Sequence, residues 1–437
     1  MTYTFRFAPR RPLPAAALVL ALLAGAAADL AAAPVVNDIS KPASGVAEDA
    51  YRRGIEALGK NDLKTAETSF REALRQNPQM VSALLAMGEI AFMSRRTDDA
   101  GRWIEQAVKA NPTDANAQAS LGRFLALKGR RAEAEVALKQ AAALDGKAFR
   151  PRVDLADMLL SRGDAEAAIP LYREALAISP DHPGARYALG QALLSAGYPA
   201  AAATELTQAA SLAKGNPLPL VALARAEFAR KQPDAAMKAV DQALQIQPTL
   251  VDGLILKGDL LESRGLPEPA LRHYERASQL APKLALPHLR TGMVQQQRGQ
   301  PDAANKAYQR VIELDPKQPV ALNNLAALAV ARGQNLKQAE LWARRAVAAA
   351  PRAAQLHDTL ASVLLAQGDH KGAVSTLMTA TELAPRDPSI RYHLGKALAE
   401  AGDKAQARKV LREALALTPD FPSAAEAQKL LDSLGSS

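Results

Sequence analysis

The sequence predicts an all-α fold made of stacked helix pairs, on three observations. First, prolines recur at a spacing of 34 residues or twice that: Pro78, Pro112, Pro180, Pro248, Pro282 and Pro316. After one extra residue near 334–336 the series resumes at Pro351, Pro385 and Pro419. Second, each period holds two runs in which apolar residues return every three or four positions, the mark of paired amphipathic helices. In 388–421 these are Leu394, Gly395 and Leu398, then Ala407, Leu411 and Ala414, with Gly402-Asp403 breaking the run between them. Third, two columns hold only small side chains. One reads Gly54, Gly88, Gly122, Ala156, Gly190, Ala224, Gly258, Gly292, Ala326, Ala361 and Gly395, and the other is alanine throughout, from Ala66 and Ala100 to Ala373 and Ala407. Small residues let two helix axes approach closely, and larger neighbours such as Phe70, Tyr172, Tyr274 and Tyr308 fill the space around the crossing.

The elements follow in order. Residues 1–28 read as a secretory signal peptide: Arg6, Arg10 and Arg11 precede an apolar run over 13–24, and Ala26-Ala27-Ala28 supplies a small-residue cleavage site. Residues 29–46 lack helical period and read as a flexible leader. Eleven units then span 47–80, 81–114, 115–148, 149–182, 183–216, 217–250, 251–284, 285–318, 319–353, 354–387 and 388–421. Asp62, Asp164, Asp369 and Asp403 stand where second helices need an N-cap. Pro199, Pro233, Pro267 and Pro301 occupy first turns, where a missing N–H does no harm. Pro170 falls inside a second helix and predicts a slight kink. Residues 422–437 read as a helix and tail covering the open end of the stack.

These units resemble the tetratricopeptide repeat: a Leu-Gly pair, a later Ala, a large residue four positions on and a closing Pro. The departures are modest. The family's early tryptophan is absent, and Gly146 and Lys214 replace closing prolines. The resemblance implies a right-handed α-α superhelical solenoid of about eleven 34-residue pairs with a C-terminal capping helix. It further implies that first helices line a concave groove in which partner peptides or helices lie. Carried over slot by slot, the expected contacts are Tyr51, Phe92, Arg123, Arg150, Tyr187, Arg225, Phe228, Asn323, Tyr392 and Lys396. Aromatic side chains and Arg dominate binding energy at protein interfaces. Two specialised forms of the family are excluded. The slots of a carboxylate-gripping clamp read Tyr51/Ile55, Leu85/Glu89 and Ala119/Arg123, and an asparagine ladder finds only Asn324.

Composition and motifs point away from catalysis. The chain has no cysteine, which excludes disulfides, thiolate-metal sites and a lipid-modified N-terminal Cys. Its six histidines are scattered over five units without metal-ligand spacing, and no glycines form a phosphate loop. Trp103 and Trp342 occupy matching slots and are expected to pack between units. Net charge is +9, lowered to +6 once the three arginines of 1–28 are removed, with both signs interspersed. No basic run interleaved with aromatics is present, so nucleic acid is not expected as a partner. The expectation is a non-enzymatic scaffold without cofactor or metal, exported to the periplasm of a Gram-negative bacterium. Its partners would be proteins of envelope assembly, secretion or polysaccharide machinery, and it would touch membrane only through an uncleaved signal segment. The alternative is a component of an exopolysaccharide synthesis or export system that contacts glycan.

Overall fold

A computed structural model describes residues 45–418 and 420–435. The expected signal peptide, nearly all of the expected leader and Pro419 lie outside the described residues. All regular structure among those described is helical. The chain divides into two compact units, one ending at Pro248 and the other beginning at Thr249.

The N-terminal unit contains twelve helices in consecutive pairs. They are α1 (Val46–Gly59) with α2 (Leu63–Gln76), α3 (Val81–Met93) with α4 (Thr97–Ala110), and α5 (Ala115–Leu127) with α6 (Arg131–Leu144). The series continues with α7 (Phe149–Ser161) and α8 (Ala165–Ile178), α9 (Pro183–Ser195) and α10 (Pro199–Leu212), then α11 (Leu218–Ala229) and α12 (Pro233–Ile246). The C-terminal unit holds α13 (Val251–Ser263) and α14 (Pro267–Leu280), α15 (Ala285–Gln297) and α16 (Pro301–Leu314), α17 (Pro319–Arg332) and α18 (Leu336–Ala349). It ends with α19 (Ala354–Ala366) and α20 (His370–Leu383), α21 (Pro388–Glu400) and α22 (Lys404–Leu417), and a single helix α23 (Ala424–Ser433).

Close crossings within pairs explain the small columns. A Cβ added at Gly258 would lie 2.4 Å from the Tyr274 ring, and one at Gly54 would lie 2.4 Å from Phe70. At Gly190 the obstacle is Leu206, at 2.5 Å. No Cβ fits at such separations, so each glycine admits the large residue of its partner helix. The alanine column is fully buried from Ala66 to Ala407. A close approach between successive pairs also falls outside both columns: a Cβ at Gly101 would meet Phe124 of the following pair at 2.2 Å.

The ends of the helices follow local chemistry. Asp62 accepts from the Thr65 N–H at 3.1 Å, Asp369 from Gly372 at 2.9 Å and Asp403 from Gln406 at 3.0 Å, satisfying N–H groups that have no helical acceptor. Pro199, Pro233, Pro267 and Pro301 each begin a helix. Gly402 turns the chain between α21 and α22 at φ +91°, a conformation costly for a residue with a Cβ. Helix α8 continues through Pro170, whose ring faces solvent. Trp103 packs beside Met87 and Ile90, and Trp342 beside Tyr308 and Ala339. Phe421 and Ala427 close over Tyr392, Leu411 and Ala414, so α23 covers the apolar end of the last pair.

Candidate partner-binding face

The expected contact residues lie on first helices, in both units. In the N-terminal unit, Tyr51 is half-buried with its ring 5.5 Å from Phe70, and burial raises its phenol above the ordinary range. Phe92 is half-buried, 6.3 Å from Phe124. Tyr187 accepts a hydrogen bond from the Gln191 amide at 2.7 Å while its ring packs on the core. Arg225 is half-buried, and Phe228, one turn further along α11, is exposed.

Arg123 and Arg150 are brought together by a residue the slot reading did not select, Asp154. Arg123 Nη1 donates to one carboxylate oxygen at 3.2 Å, and Arg150 Nε donates to the other at 3.0 Å. The Asp154 side chain is only 6 % exposed, while those of Arg123 and Arg150 are 44 % and 36 % exposed. A buried carboxylate thus holds two guanidiniums at the surface. One turn along α7, Asp157 accepts from the Tyr172 hydroxyl. Burial pushes Asp157 up to about 7; the Tyr172 hydrogen bond opposes this shift, the Asp154 charge adds to it, and Arg150 opposes it. Glu89 on α3 is also raised by burial, an effect that Arg123 partly offsets.

The C-terminal unit carries a different polar system. Asp259 on α13 meets Arg290 on α15 through two contacts, Oδ1 to Nε at 3.0 Å and Oδ2 to Nη2 at 3.3 Å. The Tyr274 hydroxyl lies 2.9 Å from Asp259 and 3.2 Å from Glu262, and donates its proton into this pair of carboxylates. Asn324 donates to the Tyr308 hydroxyl at 2.9 Å, and that hydroxyl donates to Gln296 at 2.8 Å. Half-buried His393 pairs with buried Asp358 at 2.6 Å.

Two expected contacts require correction. Asn323 is buried on α17 beside Asn324, and Tyr392 is buried under α23, so neither side chain is presented to a partner. Asn323 follows the register, but its side chain is buried, with its amide 3.5 Å from the Asn324 side-chain oxygen. Tyr392 is covered because the chain's own last helix occupies the end of the stack. Lys396 is exposed, 3.9 Å from Glu400. Arg290 and Asp154 were missed because both occupy the sixth position of their units, a slot that none of the expected contacts uses. A signal existed: each lies 31 residues from an opposite charge, Asp259 and Arg123 respectively.

Among the described residues, no group of three His, Cys, Asp or Glu side chains is placed to hold a metal ion. No described helix is long and apolar enough to cross a membrane. What the geometry defines is a scaffold of helix pairs whose first helices display side chains in a repeating register.

Comparison with known proteins agrees with that class. Tetratricopeptide repeat signatures match residues 51–115, 289–354 and 364–434, and a TPR repeat signature matches 156–197, together more than half of the 437 residues. The chain belongs to the tetratricopeptide repeat family, whose fold is a non-catalytic scaffold for protein–protein interaction. No curated protein matches it in sequence. Solved structures similar to it include the APC/C hetero-tetramer Cut9–Hcn1, at 13 % identity over 90 % of this chain and 97 % of that one, with a TM-score of 0.49. Yeast Tom70 matches at 13 % identity over 89 % of this chain and 95 % of that one, TM-score 0.45. MamA matches at 23 % identity over 38 % of this chain and 96 % of that one, TM-score 0.34.

Proposed function

We propose that this protein is an exported adaptor of a bacterial cell envelope, periplasmic, which holds partner peptides or helices against its first-helix face. The observation that carries the reading is the run of accessible Arg and aromatic side chains on successive first helices of the N-terminal unit: Phe92, Arg123, Arg150, Tyr187, Arg225 and Phe228. Such side chains supply most of the energy at protein interfaces. A face already held by packed helices lets a partner bind without first ordering the scaffold. Export rests on the sequence of residues 1–28.

The test is crosslinking in living cells followed by recovery from the envelope fraction. Wild type should capture a defined set of proteins that Tyr187→Ala/Arg225→Ala loses; equal capture by both would sink the groove reading. Sequencing the N-terminus of the mature protein checks export, with Asp29 expected first. The second reading, a component of polysaccharide export that contacts glycan, is favoured by the exposed guanidinium of Arg123 on the same face. Glycan binding that falls steeply with salt would support it.

A further inference from the structure

We infer that Arg123 and Arg150 form a docking point for the carboxylates of an acidic peptide segment that also carries aliphatic side chains. This deepens the proposed function by assigning partner chemistry to one place on the face, and it rests on that reading. The charge arrangement comes first. Two arginines share one carboxylate, Asp154, which takes one guanidinium on each oxygen, so the three groups together carry a net positive charge. The acid is beneath and the bases are above, as their exposures show. An approaching anion therefore meets guanidinium before it meets Asp154. Around this point, Glu89 and Asp157 are both shifted by burial toward their neutral forms, which weakens any competing negative field.

Donor capacity and preorganisation come next. Arg123 donates through one Nη to Asp154 and through the other to the Ser120 hydroxyl at 3.1 Å. A guanidinium has about five N–H donors in a fixed plane, so Arg123 retains donors for a ligand. Asp154 already fixes the orientation of both arginines, and little side-chain entropy is left to lose on binding.

The surroundings choose among anions. Leu127 lies one helical turn beyond Arg123 on α5 and is exposed, as is Met93 at the end of α3. Phe92, half-buried on α3, lies 6.3 Å from the buried Phe124, the residue after Arg123 on α5. A free phosphate or a polyuronate has no aliphatic group to cover these side chains. A peptide with alternating acidic and aliphatic residues does, and it would bury apolar surface while pairing its carboxylates.

The experiment is fluorescence anisotropy on the full mature chain with three labelled probes: a Glu-Leu alternating peptide, its Gln-Leu counterpart and a polyuronate. The Glu-Leu peptide should bind best, and its affinity should fall as salt rises. Arg123→Gln should weaken it roughly tenfold, the usual effect of losing one charge-assisted contact, while leaving the helical circular dichroism unchanged. Arg123→Lys should recover part of the loss, which a purely structural role for Arg123 would not predict. Equal binding of the Glu-Leu and Gln-Leu peptides, or an unchanged affinity in Arg123→Gln, overturns the assignment yet leaves the groove as a peptide site. Preference for the polyuronate also overturns it and moves the face to glycan.

Discussion

The two units use one bridging position in opposite ways. In the N-terminal unit the residue after the small slot of α5, Arg123, reaches the residue two before the small slot of α7, Asp154; in the C-terminal unit Asp259 of α13 reaches Arg290 of α15. Both pairs are 31 residues apart, and the charges are exchanged. The outcome is not a mirror image. The first pair leaves Arg123 largely exposed above a buried acid. The second draws Arg290 inside, to 10 % side-chain exposure, against an Asp259 that is 19 % exposed and bonded to Tyr274. Register fixes where two such groups meet. The identity at each end, and the hydroxyl beneath, decides whether the pair serves cohesion or presents charge outward.

The largest expected effect breaks this contrast directly. Arg290→Met removes the guanidinium from a half-buried Asp259 that faces Glu262 and the Tyr274 hydroxyl, and should destabilise its neighbourhood by about 3 kcal/mol. Arg123→Met leaves Asp154 with Arg150 and should cost about 1 kcal/mol. Because repeat arrays need not unfold in a single step, hydrogen exchange within α13–α15 and α5–α7 is the suitable readout. Equal losses would show that the difference in burial has no energetic meaning.

Packing gives a second contrast of intermediate size. A methyl at Gly258 would stand 2.4 Å from the Tyr274 ring, whereas one at Gly88 meets Ile104 Cγ1 at 3.2 Å. Gly258→Ala should therefore cost about 1–3 kcal/mol through displacement of a fully buried ring. For Gly88→Ala, a small shift of Ile104 is offset by the better helix propensity of alanine, leaving a change within about 0.5 kcal/mol. Thermal melting of the two variants side by side checks the ranking.

A third contrast concerns pH and belongs to the N-terminal unit. Asp157 is raised from 3.8 to about 7 in the folded chain, so the folded state binds more protons than the unfolded one between those values. Stability from this group is highest below about pH 4, declines as pH rises toward 7, and then stays level. Asp157→Asn keeps an acceptor for the Tyr172 hydroxyl without the charge. Its melting temperature should match or trail wild type at pH 4 and exceed it at pH 8, and parallel curves would refute the assignment.

Most of the fold was legible in the sequence because each helix pair is built from local signals. The prolines, the Asp caps and the small columns reappear as helix starts, capping bonds and close crossings. The site was legible only in outline. Register placed Arg123, Arg150 and Phe92 on first helices, but it also placed Asn323 and Tyr392 there, and both are buried. A slot gives the direction of a side chain from its own helix and carries no information about what the next pair or α23 lays over it.

By itself, then, the sequence determined the helices, their pairing and the positions where no side chain fits, since these depend on residues close along the chain. Tertiary structure alone decided that Asp154 would gather two arginines, that Tyr274 would join Asp259 to Glu262, and which charges would stay in reach of solvent. Those outcomes depend on burial, which is settled when successive pairs exclude water from some side chains and leave others exposed.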